Sequence, residues 1–167
     1  MKKLNRKGFT LVELLAVIII LAIVVGITIP AITNIINDSK NNALGVAVDA
    51  ASDYLTDQYG YMNIDRTTAT DDFITAFGAG QTSAIYKAGA TATTTQGIIS
   101  AKLLDEMGFD AKNVVEATAT LNGTKICVTV SSVQKTSEYY STDYWTATAG
   151  DNATVKEDAT TKNSNCS

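Results

Sequence analysis

One carboxylate lies inside the most apolar stretch of the chain, and it is the residue best placed to do specific chemistry. Residues 9–30 are FTLVELLAVIIILAIVVGITIP, and Glu13 is the only charged residue among them. A carboxylate within a bilayer costs on the order of 2.5–3.5 kcal/mol on insertion scales, so its presence calls for an explanation. Two explanations stay open. Glu13 is either a carboxylate tolerated near a helix N-terminus, or the partner of a positive charge on a neighbouring chain, which would neutralise both costly charges.

A Gly-Phe junction precedes the apolar run and is a candidate cleavage site. Gly8 has no side chain, so a protease can approach the Gly8–Phe9 bond closely; a plain turn glycine is the alternative. The head before it is basic and contains Lys2, Lys3, Arg6 and Lys7. The positive-inside bias keeps this end in the cytoplasm and exports everything after Pro30. A conventional signal-peptide cut near Ala31 is disfavoured, because the run is too long and no clear A-x-A site follows it.

The composition excludes several classes of function. The chain has 13 Lys plus Arg, 17 Asp plus Glu and no histidine. Ser-His-Asp catalysis, Cys-His catalysis and histidine metal sites are therefore excluded, and the acidic balance argues against nucleic-acid binding. Asp71 and Asp72 fit the first turn of a short helix better than a catalytic pair, and residues 151–158 fit a solvated loop better than a calcium site. We predict no enzyme, no cofactor and no metal site.

Hydrophobic periodicity places Glu13 on one long helix. The 22 residues 9–30 span roughly 33 Å as a helix, about the hydrocarbon thickness of a bilayer, and are predicted to cross the membrane. After Pro30 the apolar residues recur at spacings of three and four, which predicts an amphipathic continuation over residues 31–60. Gly26 and Pro30 predict a kink, and Gly60 predicts the end of the helix. The predicted apolar stripe consists of Ile32, Ile35, Ile36, Ala43, Ala47, Ala50, Ala51, Tyr54 and Leu55.

Residues 61–167 are predicted to form an exported domain that begins with a connecting region over 61–95. Within that region, Thr70 is expected to cap a short helix that ends at Gly78. A second short helix is predicted over residues 96–107, where apolar residues line one side. These helices would precede the sheet.

The clearest strand signal is a hairpin. Asn122-Gly123 separates the predicted strands 114–121 and 124–132, and Asn-Gly is the strongest short turn signal for a hairpin. A third strand is predicted over 138–148, where Tyr and Trp supply β-propensity and are expected to pack in the sheet or core. The tail, 149–167, is predicted to be irregular. The alternating face expected to cover the long helix consists of Ile126, Val128 and Val130. The predicted fold class is α+β, a long helix with an antiparallel sheet on its outer half.

The segment KGFTLVELLAVIIILAIVVGITIPA resembles the N-terminus of type IV pilins, the prepilins of bacterial surface filaments. The resemblance rests on the Gly-Phe junction, the Glu four residues after Phe9 and the Pro that closes the run. The short leader and Phe9 resemble the type IVa subgroup, and the Ile/Val-rich run is similar to that of clostridial pilins. The resemblance implies that a prepilin peptidase cuts after Gly8, that Phe9 is N-methylated, and that Glu13 pairs with the Phe9 amine of a neighbouring subunit.

The same resemblance implies the ladle fold of pilins. Residues 1–8 would be the cleaved leader, 9–30 the transmembrane and filament-core helix, 31–60 its amphipathic continuation, and 61–167 the exported globular domain. The precursor would cross the cytoplasmic membrane once with its N-terminus inside, and the assembled protein would lie on the cell surface as a pilus.

The two cysteines, Cys127 and Cys166, both lie on the exported side. An even count in an oxidising location favours a disulfide, and two unpaired thiols are the alternative. The pair is similar to the disulfide that bounds a C-terminal loop in many pilins. Asn-x-Ser/Thr sequons also occur but identify no glycosylation site; they begin at Asn37, Asn122, Asn152 and Asn165.

The leading functional hypothesis is a structural subunit of a type IV pilus, a homo-oligomeric helical filament used for adhesion, twitching motility or DNA uptake. Its partners would be the prepilin peptidase and an assembly machinery with a separate ATPase, since this chain has no Gly-rich phosphate loop. The alternatives are a pseudopilin of a type II secretion or competence system, and a membrane-anchored binding domain that never polymerises.

Overall fold

A computed structural model describes residues 10–147 and 152–156. The chain divides into two compact units, Met1–Ile36 and Asn37–Ser167. Helix α1, Leu11–Ile64, contributes to both units. It is helical through Gly26 and Pro30, although Pro30 cannot donate the backbone hydrogen bond that the Gly26 carbonyl would accept. The kink predicted at these two residues stays a prediction.

Helix α1 ends four residues later than the glycine signal predicted. It continues past Gly60 to Ile64, because the backbone of Gly60 is not in the left-handed region that a glycine stop requires. The stop comes from Asp65, whose carboxylate accepts hydrogen bonds from the backbone nitrogen and hydroxyl of Thr67 at 2.9 and 2.8 Å. These bonds form a local turn that competes with helix, and they hold the pKa of Asp65 below its ordinary value.

The buried face of α1 is turned away from part of the predicted stripe. Its buried apolar residues are Leu44, Val48, Ala51 and Leu55. Ala51 and Leu55 were predicted, whereas Ala43 and Ala50 are exposed. The prediction was wrong there because alanines occur on both sides of the helix, so their spacing alone does not identify the buried side.

Two short helices follow α1. Helix α2, Asp71–Phe77, begins at the N-cap Thr70 and ends at Gly78, as predicted. Helix α3, Ala101–Glu106, is shorter than the predicted 96–107, because residues before its N-cap, Ser100, form a strand. Asp72 in the first turn of α2 accepts hydrogen bonds from the hydroxyl of Ser100 at 2.6 Å and from Lys102 Nζ at 2.7 Å. These bonds lower the pKa of Asp72, with the Lys102 hydrogen bond as the largest cause.

In the described part of the chain the strands form one six-stranded sheet with the order β2-β1-β3-β4-β6-β5. The strands are β1 Ser83–Lys87, β2 Gln96–Ile98, β3 Val114–Asn122, β4 Lys125–Gln134, β5 Trp145–Ala147 and β6 Asn152–Val155. The sheet is mixed rather than purely antiparallel, because β1 and β2 run parallel. Three expectations were wrong. Strands β1 and β2 lie where a connecting region and a helix were predicted, β5 is shorter than the predicted strand 138–148, and part of the tail predicted to be irregular forms β6.

The central hairpin is confirmed, with a turn shifted by one residue. Asn122 pairs with Lys125, so Gly123 and Thr124 form the two-residue tip. Gly123 has φ +64°, and no described non-glycine residue has positive φ. A positive φ at the first tip residue only is the pattern of a type II′ turn, in which Gly is preferred at that place.

The sheet covers the outer part of α1 as predicted. Ile126, Val128 and Val130 are fully buried. The backbone of Ile126 is held on both sides, since its nitrogen donates to Thr56 Oγ1 at 3.0 Å and its carbonyl accepts from the Ser52 hydroxyl. The predicted packing of the aromatic residues also holds, because Trp145 is buried and the tyrosines at 139, 140 and 144 pack partly buried against the core.

Candidate functional site

The first unit presents an apolar helix surface that is exposed at every residue the structure describes there. All of residues 10–36 are exposed, including large aliphatic side chains such as Leu11 at 80% and Ile27 at 70%. The segment is long and apolar enough to cross a membrane, with a mean hydropathy of 3.0 over its best window. So continuous an apolar surface far exceeds the patches of ordinary soluble proteins. It requires lipid or other apolar helices around it.

Glu13 closes a reciprocal capping arrangement at the start of this helix. The Glu13 Oε2 atom accepts hydrogen bonds from the backbone nitrogen of Thr10 at 2.9 Å and from its hydroxyl at 2.8 Å. The Thr10 hydroxyl oxygen accepts from the Glu13 backbone nitrogen at 3.3 Å. This is a capping box, in which a Thr and a Glu three residues later satisfy backbone N–H groups that the first helical turn leaves free. Thr10 is a site residue that sequence reasoning missed, and the T-x-x-E spacing is the signal that could have found it.

The other hydroxyls of the apolar segment are satisfied within the helix. Thr28 Oγ1 donates to the Val25 carbonyl at 3.2 Å, and Thr33 Oγ1 donates to the Ile29 carbonyl at 3.0 Å. Such bonds let a threonine lie in an apolar environment without an unsatisfied donor. Glu13 differs, because its second oxygen, Oε1, accepts no hydrogen bond from any residue that the structure describes. The carboxylate can therefore receive one further donor or an ammonium group.

Several predicted site residues fall outside this geometry. Gly8 and Phe9 lie outside the described residues, so the predicted cleavage and N-methylation stay predictions. Cys127 lies half-buried in β4 opposite Thr120 of β3. Its predicted partner, Cys166, lies outside the described residues, and the disulfide also stays a prediction.

Comparison with known families identifies the N-terminal segment. Residues 3–29 match the family model described as the prokaryotic N-terminal methylation motif. The matched range contains the Gly-Phe junction, the capping box and most of the exposed apolar helix. Neither the curated proteins nor the solved structures give a significant match to the chain. This match supports a type IV prepilin-like N-terminus, which the structure shows as a long helix followed by a mixed sheet.

The matched motif indicates the general kind of function. The motif is that of structural subunits rather than enzymes, and it implies processing by a prepilin peptidase and assembly of the pilus type. An apolar helix within this motif is consistent with a precursor anchored in the membrane.

Proposed function

We propose that the chain is a structural subunit of a type IV pilus and polymerises through its N-terminal helix. The peptidase cuts after Gly8 on the cytoplasmic side and leaves Phe9 with a free amine that is then N-methylated. The exported domain stays outside, and the apolar helix moves from lipid into a bundle of identical helices. Apolar burial is retained throughout this transfer, so the hydrophobic effect does not oppose assembly.

The observation that carries this proposal is the state of the Glu13 carboxylate. One oxygen is held by Thr10 at the end of the helix, and the other has no partner in the described chain. In an apolar filament core, an ammonium group from the next subunit would meet this oxygen and neutralise it. A charge pair of this kind recognises one axial position, because a shifted helix would leave both charges buried and unpaired.

A repeated contact of this type builds a filament rather than a closed ring. The amine of one subunit meets the carboxylate of the next, so each subunit uses two different surfaces and the assembly does not close on itself. Adhesion, twitching motility and DNA uptake would be properties of this filament. A helical homo-oligomer is thus the oligomeric state that the site supports best.

The first test is mass spectrometry of the protein sheared from its native cells, on the intact chain and on its N-terminal peptide. We expect a mature chain that begins at N-methylated Phe9. A chain that begins near Ala31, or that retains Met1, would refute the proposal. Electron microscopy of the same preparation then separates a surface pilus from a short pseudopilus, because only a pilus gives long extracellular filaments that contain this chain.

A further inference from the structure

The tip of the β3–β4 hairpin carries the only Asn-Gly pair of the sequence, Asn122-Gly123. Asn122 is exposed, and its side chain makes no hydrogen bond with any residue that the structure describes. Gly123 follows it outside the strand ladder with φ +64°, and nothing lies within 4 Å of its Cβ position. The side-chain amide and the next backbone nitrogen are thus both open to solvent.

We propose that Asn122 is a site of spontaneous deamidation, which converts the exposed hairpin tip from neutral to anionic with time. The backbone nitrogen of Gly123 attacks Cγ of Asn122 and forms a new C–N bond. The bond from Cγ to the side-chain nitrogen breaks, and ammonia leaves with the proton that the Gly123 nitrogen gives up. Water then opens the resulting succinimide ring at either carbonyl, which yields aspartate or isoaspartate. No oxidant, cofactor or enzyme is needed.

Two features of Gly123 favour the attack. A glycine has no Cβ, so its nitrogen can approach a neighbouring carbon more closely than that of any other residue. Its N–H also donates no backbone hydrogen bond in the described part of the chain, so no bond must break to free the nitrogen. The attack requires the two-residue turn to open, and an exposed tip beyond the last ladder pair is where local opening costs least.

The other asparagines for which the structure describes contacts are protected. The Asn37 side chain is buried, and its Nδ2 atom donates to Asp143 Oδ2 at 2.7 Å. Asn113 is held on both sides, since its nitrogen donates to the Asp110 carbonyl at 2.8 Å and its own carbonyl accepts from Gln134 at 2.9 Å. The residue after Asn113 is a valine, whose branched side chain crowds the backbone nitrogen. Asparagines within α1 precede residues whose nitrogens are committed to the helix.

The two products would have different consequences for the hairpin. An aspartate at position 122 would face Lys125, its register partner, and opposite charges at directly paired positions are favourable. An isoaspartate would add one backbone methylene at the end of β3 and would displace the turn from its ladder pair. The product mixture would therefore contain an intact and a distorted tip, each with one more negative charge than the fresh chain.

The test uses the full chain in detergent micelles, incubated at mildly alkaline pH and sampled over days. Trypsin, used at acidic pH to prevent conversion during digestion, releases residues 113–125, which contain both Asn113 and Asn122. Tandem mass spectrometry then reports each amide in the same peptide. We expect Asn122 to lose its amide at least about tenfold faster than Asn113, because the valine side chain after Asn113 crowds the backbone nitrogen that would attack. An isoaspartyl methyltransferase should label the aged sample at residue 122.

An Asn122→Gln variant is the matched control, since it keeps an amide but its side chain is one methylene longer and cannot close the five-membered ring. It should retain its amide and accept no methyl label. The proposal is overturned if Asn122 loses its amide no faster than Asn113, because the turn would then hold the side chain away from Gly123. A glycan on Asn122 in protein from native cells would also overturn it, since the amide would already be blocked.

Discussion

The capping box makes it possible to separate the two explanations of Glu13 by mutation. A Glu13→Gln variant keeps an oxygen that can accept from Thr10, because Gln serves as well as Glu in a capping box, but it removes the charge. A Thr10→Val variant removes the hydroxyl that caps the helix and keeps the charge. The two changes affect adjacent atoms of the same site.

The expected magnitudes differ clearly. Loss of the cap in Thr10→Val costs about 1 kcal/mol of local helix stability, and lipid or neighbouring helices still hold the long helix together. In Glu13→Gln, under the proposed function, the amine of the next subunit would face a neutral amide in an apolar core. Breaking a buried pair costs 3–5 kcal/mol, and we expect about 3 kcal/mol here, because the amide oxygen still accepts one hydrogen bond. Such a loss lowers the equilibrium constant of subunit addition about a hundredfold.

The assay uses immunoblots to compare the amount of subunit in sheared filaments with the amount in the membrane. It is applied to Thr10→Val, Glu13→Gln, Glu13→Val and the unchanged chain. Thr10→Val should leave most subunits in filaments, whereas Glu13→Gln and Glu13→Val should leave most of them in the membrane, with normal cleavage. Glu13→Val also removes a carboxylate that costs about 3 kcal/mol in the membrane, so the membrane-bound fraction of this variant should be stable. Normal filaments in Glu13→Gln together with lost filaments in Thr10→Val would refute the reasoning, because Glu13 would then act only through the cap, which Gln keeps.

Three further predictions concern the second unit, Asn37–Ser167. Gly97→Ala should lower the free energy of unfolding by about 3 kcal/mol, since its Cβ would collide with the backbone of α2. Gly60→Ala should raise it by up to about 1 kcal/mol, since the added Cβ meets nothing within 4 Å and alanine favours helix. Thermal denaturation measures both changes. Asp72→Asn should be less stable than the unchanged chain at neutral pH. Because folding lowers the pKa of Asp72, the difference in the free energy of unfolding is fully present above its ordinary pKa of 3.8 and should vanish as the pH falls through the folded value. Equal denaturation curves at pH 7 would contradict this prediction. Reduction of the predicted bond between Cys127 and Cys166 should cost about 4 kcal/mol of stability, and a thiol assay that finds two free cysteines before reduction would contradict the bond.

The elements that sequence predicted well are those with local signals at both ends. Helix α2 has its N-cap at Thr70 and its stop at Gly78, and each signal acts within one turn. The β3–β4 hairpin has its register set by Gly123, whose left-handed backbone fits a tight turn. In both cases the residues that decide the structure lie next to the residues they organise.

The elements that sequence missed depend on distant partners. Strand β2 has only three residues, and Gly97 in its centre is a weak strand former. It forms because β1 pairs with it in parallel and because the missing side chain lets it lie against the backbone of Ala76. Strand β6 is likewise held by pairing with the end of β4 and with β5. No pattern within three or four residues reports such contacts.

At Glu13 the structure adds contacts that bear on a choice that the sequence left open. A carboxylate near a helix N-terminus and a carboxylate that pairs with another chain were alternatives for Glu13, and its two oxygens are compatible with both roles at once. Oε2 caps the helix through Thr10, and Oε1 has no partner in the described chain. Hydrogen bonds to one oxygen spread the negative charge and so lessen the cost of holding it in lipid. They also fix the side chain before a partner arrives, which reduces the entropy lost on pairing. Under the proposed function, the cap and the intermolecular pair are thus two uses of one carboxylate, and the first prepares the second.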